Sequence, residues 1–190
     1  MSPEFADPDI GLMLRFQKGD ERAFEELVRK HTRRILNLVY RYLGDAARAE
    51  DVSQDIFVKV YRERMKYEPK ATFYSWIHRI AVNHCLNEIR SRKIRTTLAA
   101  PLNDFLQDRQ GGNPDDPLSL RELRQAVKSA IDGLPGNQRM AVILARYEEM
   151  SYDQIAETMG LSLEAVKSLL FRARETLKQA LAQYARESSY

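Results

Sequence analysis

Between Lys167 and Arg174 the chain sets Lys167, Ser168, Phe171, Arg172 and Arg174 around the outward edge of a helical pattern. Cations hold phosphate, and lysine, serine and arginine hydrogen-bond base edges, so this set has the chemistry of a DNA groove reader. A second set lies upstream, where Tyr67, Phe73, Tyr74 and Trp76 precede Arg79, Asn83, Asn87 and Arg90. The last four are spaced to fall along one strip of a helix. Aromatic rings stack on unpaired bases, asparagine pairs with a base edge and arginine binds phosphate, which is chemistry suited to opened DNA. Phe73 and Trp76 are equally suited to anchoring a core. A third set, Asp51, Gln54 and Asp55, forms an acidic, hydrogen-bonding ridge one turn long. Paired carboxylates can serve as acid and base only in a pocket that separates their pKa values, and no such pocket is visible in sequence. The ridge therefore reads as a solvated or partner-binding face.

The elements that must carry these sets follow from caps and periodicity. Ser151 and Gln154 have capping-box spacing, Ile155, Ala156 and Met159 give an apolar face, and Gly160 sits where a left-handed residue ends a helix. Ser162 is placed to cap the next helix, whose Val166, Leu169, Leu170 and Leu177 point inward. Two helices hinged in this way form a helix-turn-helix, with the second presented to the major groove. The ridge rides on a helix from Ala46 to about Lys66, buried through Val52, Ile56, Phe57 and Val60. It follows helices from Ile10 to Lys18 and from Glu21 to about Leu43. The polar strip lies on a fourth, beginning near Thr72 or Phe73 and running into Arg90, Arg92, Lys93 and Arg95. From Thr96 to Pro117 periodicity fades among prolines, glycines and Asp104, Asp108, Asp115 and Asp116. Four more helices are expected from Leu118 to Ile131, Gln138 to Glu148, Tyr152 to Met159 and Leu163 to about Ala185. The fold class is all-α: two small helical domains, 9–95 and 118–186, joined by a flexible linker at 96–117, the second ending in the helix-turn-helix. The opening MSPEFADPD is set aside as a cloning remnant or a frayed end.

Composition narrows the remainder. A net charge of +3 does not choose a partner, but cations crowded at the fourth helix's end, followed by acidic residues, suit a protein that meets nucleic acid at defined patches. The single cysteine, Cys85, excludes an internal disulfide and reads as a small core residue. His78 and His84 do not share a helical face, so no metal site is expected; nor is a cofactor, since glycine-rich phosphate loops and nucleophile motifs are missing. No membrane-length apolar run or signal peptide is visible. The expectation is a cytoplasmic protein without stable membrane insertion that is not an enzyme.

Three segments resemble the extracytoplasmic-function (ECF) class of bacterial sigma factors: GDERAFEELVRKHTRRILNLVYRYLGDAARAEDVSQDIFVKVYRE, TFYSWIHRIAVNHCLNEIRSRKIR and LPGNQRMAVILARYEEMSYDQIAETMGLSLEAVKSLLFRARETL. Their order makes the likeness specific. It implies a promoter-specificity subunit of RNA polymerase, with residues 9–95 as sigma region 2 and 118–186 as region 4. By that likeness Asp51, Gln54 and Asp55 meet core RNA polymerase. The loop from Tyr67 to Phe73 and the helix through Asn83 capture a flipped base of the −10 element. Lys167, Ser168, Phe171 and Arg172 reach the −35 element, with Arg174 on the backbone, and an anti-sigma factor covers the polymerase-binding faces. Leu169 stands where many members carry arginine, and Glu149 where many carry glycine. A stand-alone helix-turn-helix regulator with an N-terminal sensing or dimerisation domain is the competing reading, and a nucleic-acid-processing enzyme using Asp51 and Asp55 ranks last.

Overall fold

The computed structural model describes residues 7–98 and 118–187, with side chains from Arg92 to Ser119, at Arg121 and from Gln183 onward left undescribed. Among the described residues there are eight α-helices and no strand: α1 (Pro8–Gln17), α2 (Glu21–Leu43), α3 (Ala46–Glu63), α4 (Phe73–Leu98), α5 (Leu118–Asp132), α6 (Gly136–Arg146), α7 (Tyr152–Met159) and α8 (Leu163–Glu187). A 3-10 turn, Arg64–Lys66, follows α3.

Local chemistry sets most boundaries. Asp20 and Asp45 accept backbone N–H groups at the starts of α2 and α3, offsetting donors that a helix start leaves unpaired. Gly44 ends α2 in the left-handed region at φ 74°. The chain start that the sequence reading set aside is structured from Asp7. Its Oδ1 accepts from Asp9 N–H at 2.9 Å to cap α1, and its Oδ2 accepts from Phe73 N–H at 3.0 Å to cap α4. One carboxylate thus fixes the start of two helices. The sequence signal was Asp-Pro-Asp, a cap followed by proline and an acid in the first turn. Gln17 completes the join by donating to the carbonyls of Arg64 and Tyr67.

Helices α1 to α4 pack around Phe16, Leu27, Ile35, Leu38, Ile56 and Ile77, all excluded from water. The helices of the second block close around Met140, Ile143, Leu144, Ile155 and Val166. Among the described residues the two helical blocks also pack on each other. Helix α4 packs on α6 and α7, and α2 packs on α6, so the apolar cluster runs unbroken from Tyr42 and Val82 into Met140 and Ala156. The physical reason is that each block alone is small for its surface and leaves an apolar face for the other to cover. Helix α4 continues to Leu98, past the expected end of the first block. The linker residues 99–117, with Asp104, Asp108, Asp115 and Asp116, lie outside the described residues.

Candidate functional site

The helix-turn-helix is built by its caps. Ser151 accepts from Gln154 N–H at 3.2 Å while the Gln154 side chain accepts from Ser151 N–H at 2.8 Å, which completes the capping box. Gly160 ends α7 at φ 65°, and Ser162 accepts from Ala165 N–H to start α8. Val166, Leu170 and Ala173 are buried, which turns Lys167, Ser168, Phe171, Arg172 and Arg174 to solvent. Phe171 is 62% exposed, and a large apolar ring left in water on a basic edge is suited to contact with a base or a thymine methyl. Leu169 is half-buried, so the position where many family members carry arginine here contributes to packing.

On α4 the strip separates from the aromatics. Arg79, Asn83, Asn87 and Arg90 are all exposed along one side of the helix, where they can meet a nucleic-acid strand. The basic run beyond them, Arg92, Lys93 and Arg95, lies outside the described side chains. Two aromatic expectations change. Phe73 is fully buried and Tyr67 is 3% exposed, so neither ring offers a face to a base in this arrangement. Both instead fill the angle between α1, α2 and α4, where Phe73 meets His31 edge-on with ring centres 5.1 Å apart. Burial pushes the Tyr67 hydroxyl up to about 12, with the nearby Asp7 and Asp9 charges adding to the rise. Trp76 is half-buried against Tyr67, its ring centre 5.1 Å away, and keeps an open edge. Tyr74 is half-buried too, with its hydroxyl committed elsewhere.

The α3 ridge presents Asp51, Gln54 and Asp55 to solvent. Beside it runs a groove of about 670 Å³ between α2 and α3, floored by Phe24, Val28, Leu36, Phe57 and Tyr61 and edged by Gln54. An apolar trough with a polar, acidic lip is suited to a protein partner: the trough supplies burial and the lip supplies orientation.

One constellation had no counterpart in the sequence reading. At the junction of the two blocks Glu148, between α6 and α7, is 4% exposed, and its Oε2 accepts three donors. Arg34 Nε from α2 lies at 2.9 Å, the Tyr74 hydroxyl from α4 at 3.0 Å and His78 Nε2 from α4 at 3.3 Å. His78 Nδ1 faces the Tyr74 carbonyl at 2.9 Å, and the Arg34 guanidinium lies over the Tyr74 ring, 4.5 Å from its centre. Burial by itself would raise the Glu148 carboxyl, but the hydrogen bonds from His78 and Arg34 and the His78 charge outweigh it and leave the group below the usual carboxylate value. A second tie lies nearby: Arg139 of α6 donates to the Tyr42 carbonyl at the end of α2 at 2.8 Å and to the Ile131 and Asp132 carbonyls at the end of α5. From its spacing in the sequence, His78 is a candidate only for metal ligation. Among the described residues no cluster of three or more histidine, cysteine or acidic side chains could hold a metal, and no helix is long and apolar enough to cross a membrane.

The comparisons with known proteins fall on these surfaces. The sigma-70 region 2 model matches residues 27–94, which carry the α3 ridge and the α4 strip. The sigma-70 region 4 model matches residues 124–177, which carry the helix-turn-helix. An RNA polymerase sigma-H factor of Pseudomonas aeruginosa is 34% identical over 189 residues, covering 96% of this chain and 98% of that protein. The ECF RNA polymerase sigma-E factor of Escherichia coli K12 is 35% identical over 178 residues, covering 89% of this chain and 92% of that protein. The chain belongs to the ECF RNA polymerase sigma factors. It is a transcription initiation factor, and the stand-alone regulator drops away, because the first block is itself a sigma region. The sigma factor fold is also seen in the co-crystal structure of RpoE with the anti-sigma factor NepR from Bartonella quintana. That structure superposes with a TM-score of 0.68 at 22% identity, covering 84% of this chain and 96% of the other.

Proposed function

We propose that this sigma factor binds core RNA polymerase through the α3 ridge and its groove and reads a promoter at two separated edges. Asp51, Gln54 and Asp55 orient the polymerase contact, and the apolar floor beside them supplies its burial. Arg79, Asn83, Asn87 and Arg90, with Tyr74 and the open edge of Trp76, take the −10 element as its strands part. Tyr67 and Phe73 support that surface from beneath. Lys167, Ser168, Phe171, Arg172 and Arg174 locate the −35 element. On this reading 9–95 is region 2, 96–117 the linker and 118–186 region 4, and the factor works beside polymerase in the cytoplasm with no catalytic centre of its own. An anti-sigma factor controls it by covering the faces that polymerase needs.

The observation that carries the reading is the α8 edge: its polar and aromatic residues are all exposed, whereas Val166, Leu170 and Ala173 on the same helix are sealed. Each contact is modest alone, and tethering two on one chain raises the effective concentration of the second. Run-off transcription with purified core polymerase on a genomic promoter library is the test. Discrete transcripts dependent on this factor are expected, and their absence from every promoter would overturn the reading.

A further inference from the structure

Two side chains at the ends of α1 belong to none of the surfaces above, yet both reach the segment that leads into α4. Asp7 caps α1 and also accepts the Phe73 N–H at 3.0 Å, so it holds the first residue of α4. Ten positions later, Gln17 donates from Nε2 to the Arg64 carbonyl at 2.8 Å and to the Tyr67 carbonyl at 2.9 Å. The residues from Glu68 to Thr72 lie between these grips, so α1 pins that loop at both of its ends. Thr72 caps α4 on its own account, accepting from Ser75 N–H at 3.2 Å, but a helix start leaves several donors open and that of Phe73 falls to Asp7.

Helix α1 is itself fixed. Ile10, Leu12, Met13 and Phe16 are buried, and Asp9 pairs with Lys30 and, at 2.9 Å, with His31 Nε2 on α2. A helix seated on α2 therefore sets where the chain leaves the 3-10 turn and where it enters α4. Both grips converge on one ring. Tyr67, whose carbonyl Gln17 holds, meets Trp76 edge-on with ring centres 5.1 Å apart, and the ring of Phe73, whose N–H Asp7 holds, is centred 5.9 Å from Trp76. Trp76 is half-buried against these two rings. Stacking on a base needs a ring held in one place, and a ring free to shift must be ordered at the moment of contact, at a cost in entropy.

We propose that Asp7 and Gln17 are positioning residues for −10 recognition: through the backbones of Phe73 and Tyr67 they fix the two rings that set the place of Trp76, and so hold its open edge ready for an unpaired base. Neither side chain touches DNA. The inference rests on the reading of Trp76 as part of the −10 surface and adds what holds it there.

Asp7→Asn and Gln17→Met are the variants that test it. Asparagine has one accepting oxygen where aspartate has two, so it serves the Asp9 N–H or the Phe73 N–H but not both, and methionine keeps an unbranched side chain without the donor. In the full-length free chain, exchange of the Phe73 amide followed by NMR should quicken by about fivefold in Asp7→Asn, the change that losing a typical helix cap gives. Trp76 is the only tryptophan in the chain, so its emission should shift to longer wavelength in both variants as the ring gains water.

The decisive measurement uses the holoenzyme on a promoter recovered by run-off transcription, with the −10 element already unpaired so that capture is separated from opening. Two templates are compared, one with the non-template −10 bases present and one with them abasic. The parent should favour the intact template, and each variant should reduce that preference by about fivefold, because the ordering that a lost grip supplied must now accompany binding. A factor that is merely less stable loses transcription on both templates in equal proportion, so loss of fold does not move the preference. A preference that survives both substitutions overturns the positioning role, as does a Phe73 amide that exchanges no faster in Asp7→Asn. A drop in one variant alone keeps that residue and ends the role of the other. A parent that transcribes the two templates alike refutes the −10 reading itself, whereas a parent preference left intact in the variants refutes only the part assigned to Asp7 and Gln17.

Discussion

Glu149 is the one non-glycine residue among those described that adopts a positive φ, at 55°, and it stands at the entry to the helix-turn-helix. A side chain in the left-handed region costs about 1–2 kcal/mol because its Cβ crowds the following carbonyl. Replacing Glu149 with glycine removes that strain, and the extra freedom of glycine in the unfolded chain returns about 0.5–1 kcal/mol of it. The side chain is exposed, so no packing is lost, and its charge is the weakest of the influences acting on Arg34. The net expectation is that Glu149→Gly stabilises the protein by about 0.5–1 kcal/mol, or a rise in Tm of roughly 1–4 °C for a domain of this size. Glu149→Ala serves as the control, because it removes the charge and the long side chain but keeps the Cβ that causes the strain. Glu149→Asn should fall between them, since asparagine tolerates the left-handed region better than most residues. Urea unfolding followed by circular dichroism, with all variants at one pH and salt, ranks the series. A glycine variant no more stable than the alanine variant would refute the strain argument and assign any gain to charge.

The two edges should fail in different ways. Arg172→Ala should cost the holoenzyme about 1–3 kcal/mol of binding to duplex promoter and relax its discrimination at the −35 element, whereas Asn83→Ala should leave duplex binding near the parent value and slow strand opening. Mobility shifts and permanganate footprints separate these, and equal loss of opening in both variants would merge the two roles. Acid should weaken the fold in stages. His31 lies below its ordinary value because burial opposes its charge, so stability is full above about 6.5 and falls as pH drops through the folded value. Burial alone would raise Asp9, but hydrogen bonds from Lys30 and His31 leave it depressed; with Glu148, also depressed, its contribution is present above about 4.5 and is lost as pH falls through the folded values. Urea midpoints between pH 7 and pH 3 should fall throughout, with the lowest step reduced in Glu148→Gln; a midpoint that rises on acidification would contradict both signs.

What could be read from sequence was local. Asp20, Asp45, Ser151, Gly44 and Gly160 cap helices within a turn of themselves, so their chemistry is written beside the elements they end. The exposed α8 edge was legible for the same reason, as the complement of an apolar stripe on one helix. Tyr67 and Phe73 were ambiguous because they lie in a loop and at a helix start, where no periodicity assigns a side chain to core or surface. The Glu148 pairing was out of reach: Arg34 is 114 positions away and Tyr74 is 74 away, and no repeat or spacing relates a charge on α2 to a carboxylate beyond α6.

That asymmetry bears on how the factor works. The residues of an exposed edge are set by the periodicity of the single helix that carries them, so they are legible one helix at a time. A junction exists only between helices far apart in the chain, and it need not be strong everywhere to be decisive. In this protein the junction leaves both the α4 strip and the α8 edge exposed. Packing of the blocks therefore sets the spacing of these two surfaces and leaves both accessible. Promoter choice requires both contacts at once, because neither alone supplies the affinity that tethering supplies. The Glu148 network ties Arg34, Tyr74 and His78 of the first block to the second, so it fixes how the two edges are disposed without belonging to either.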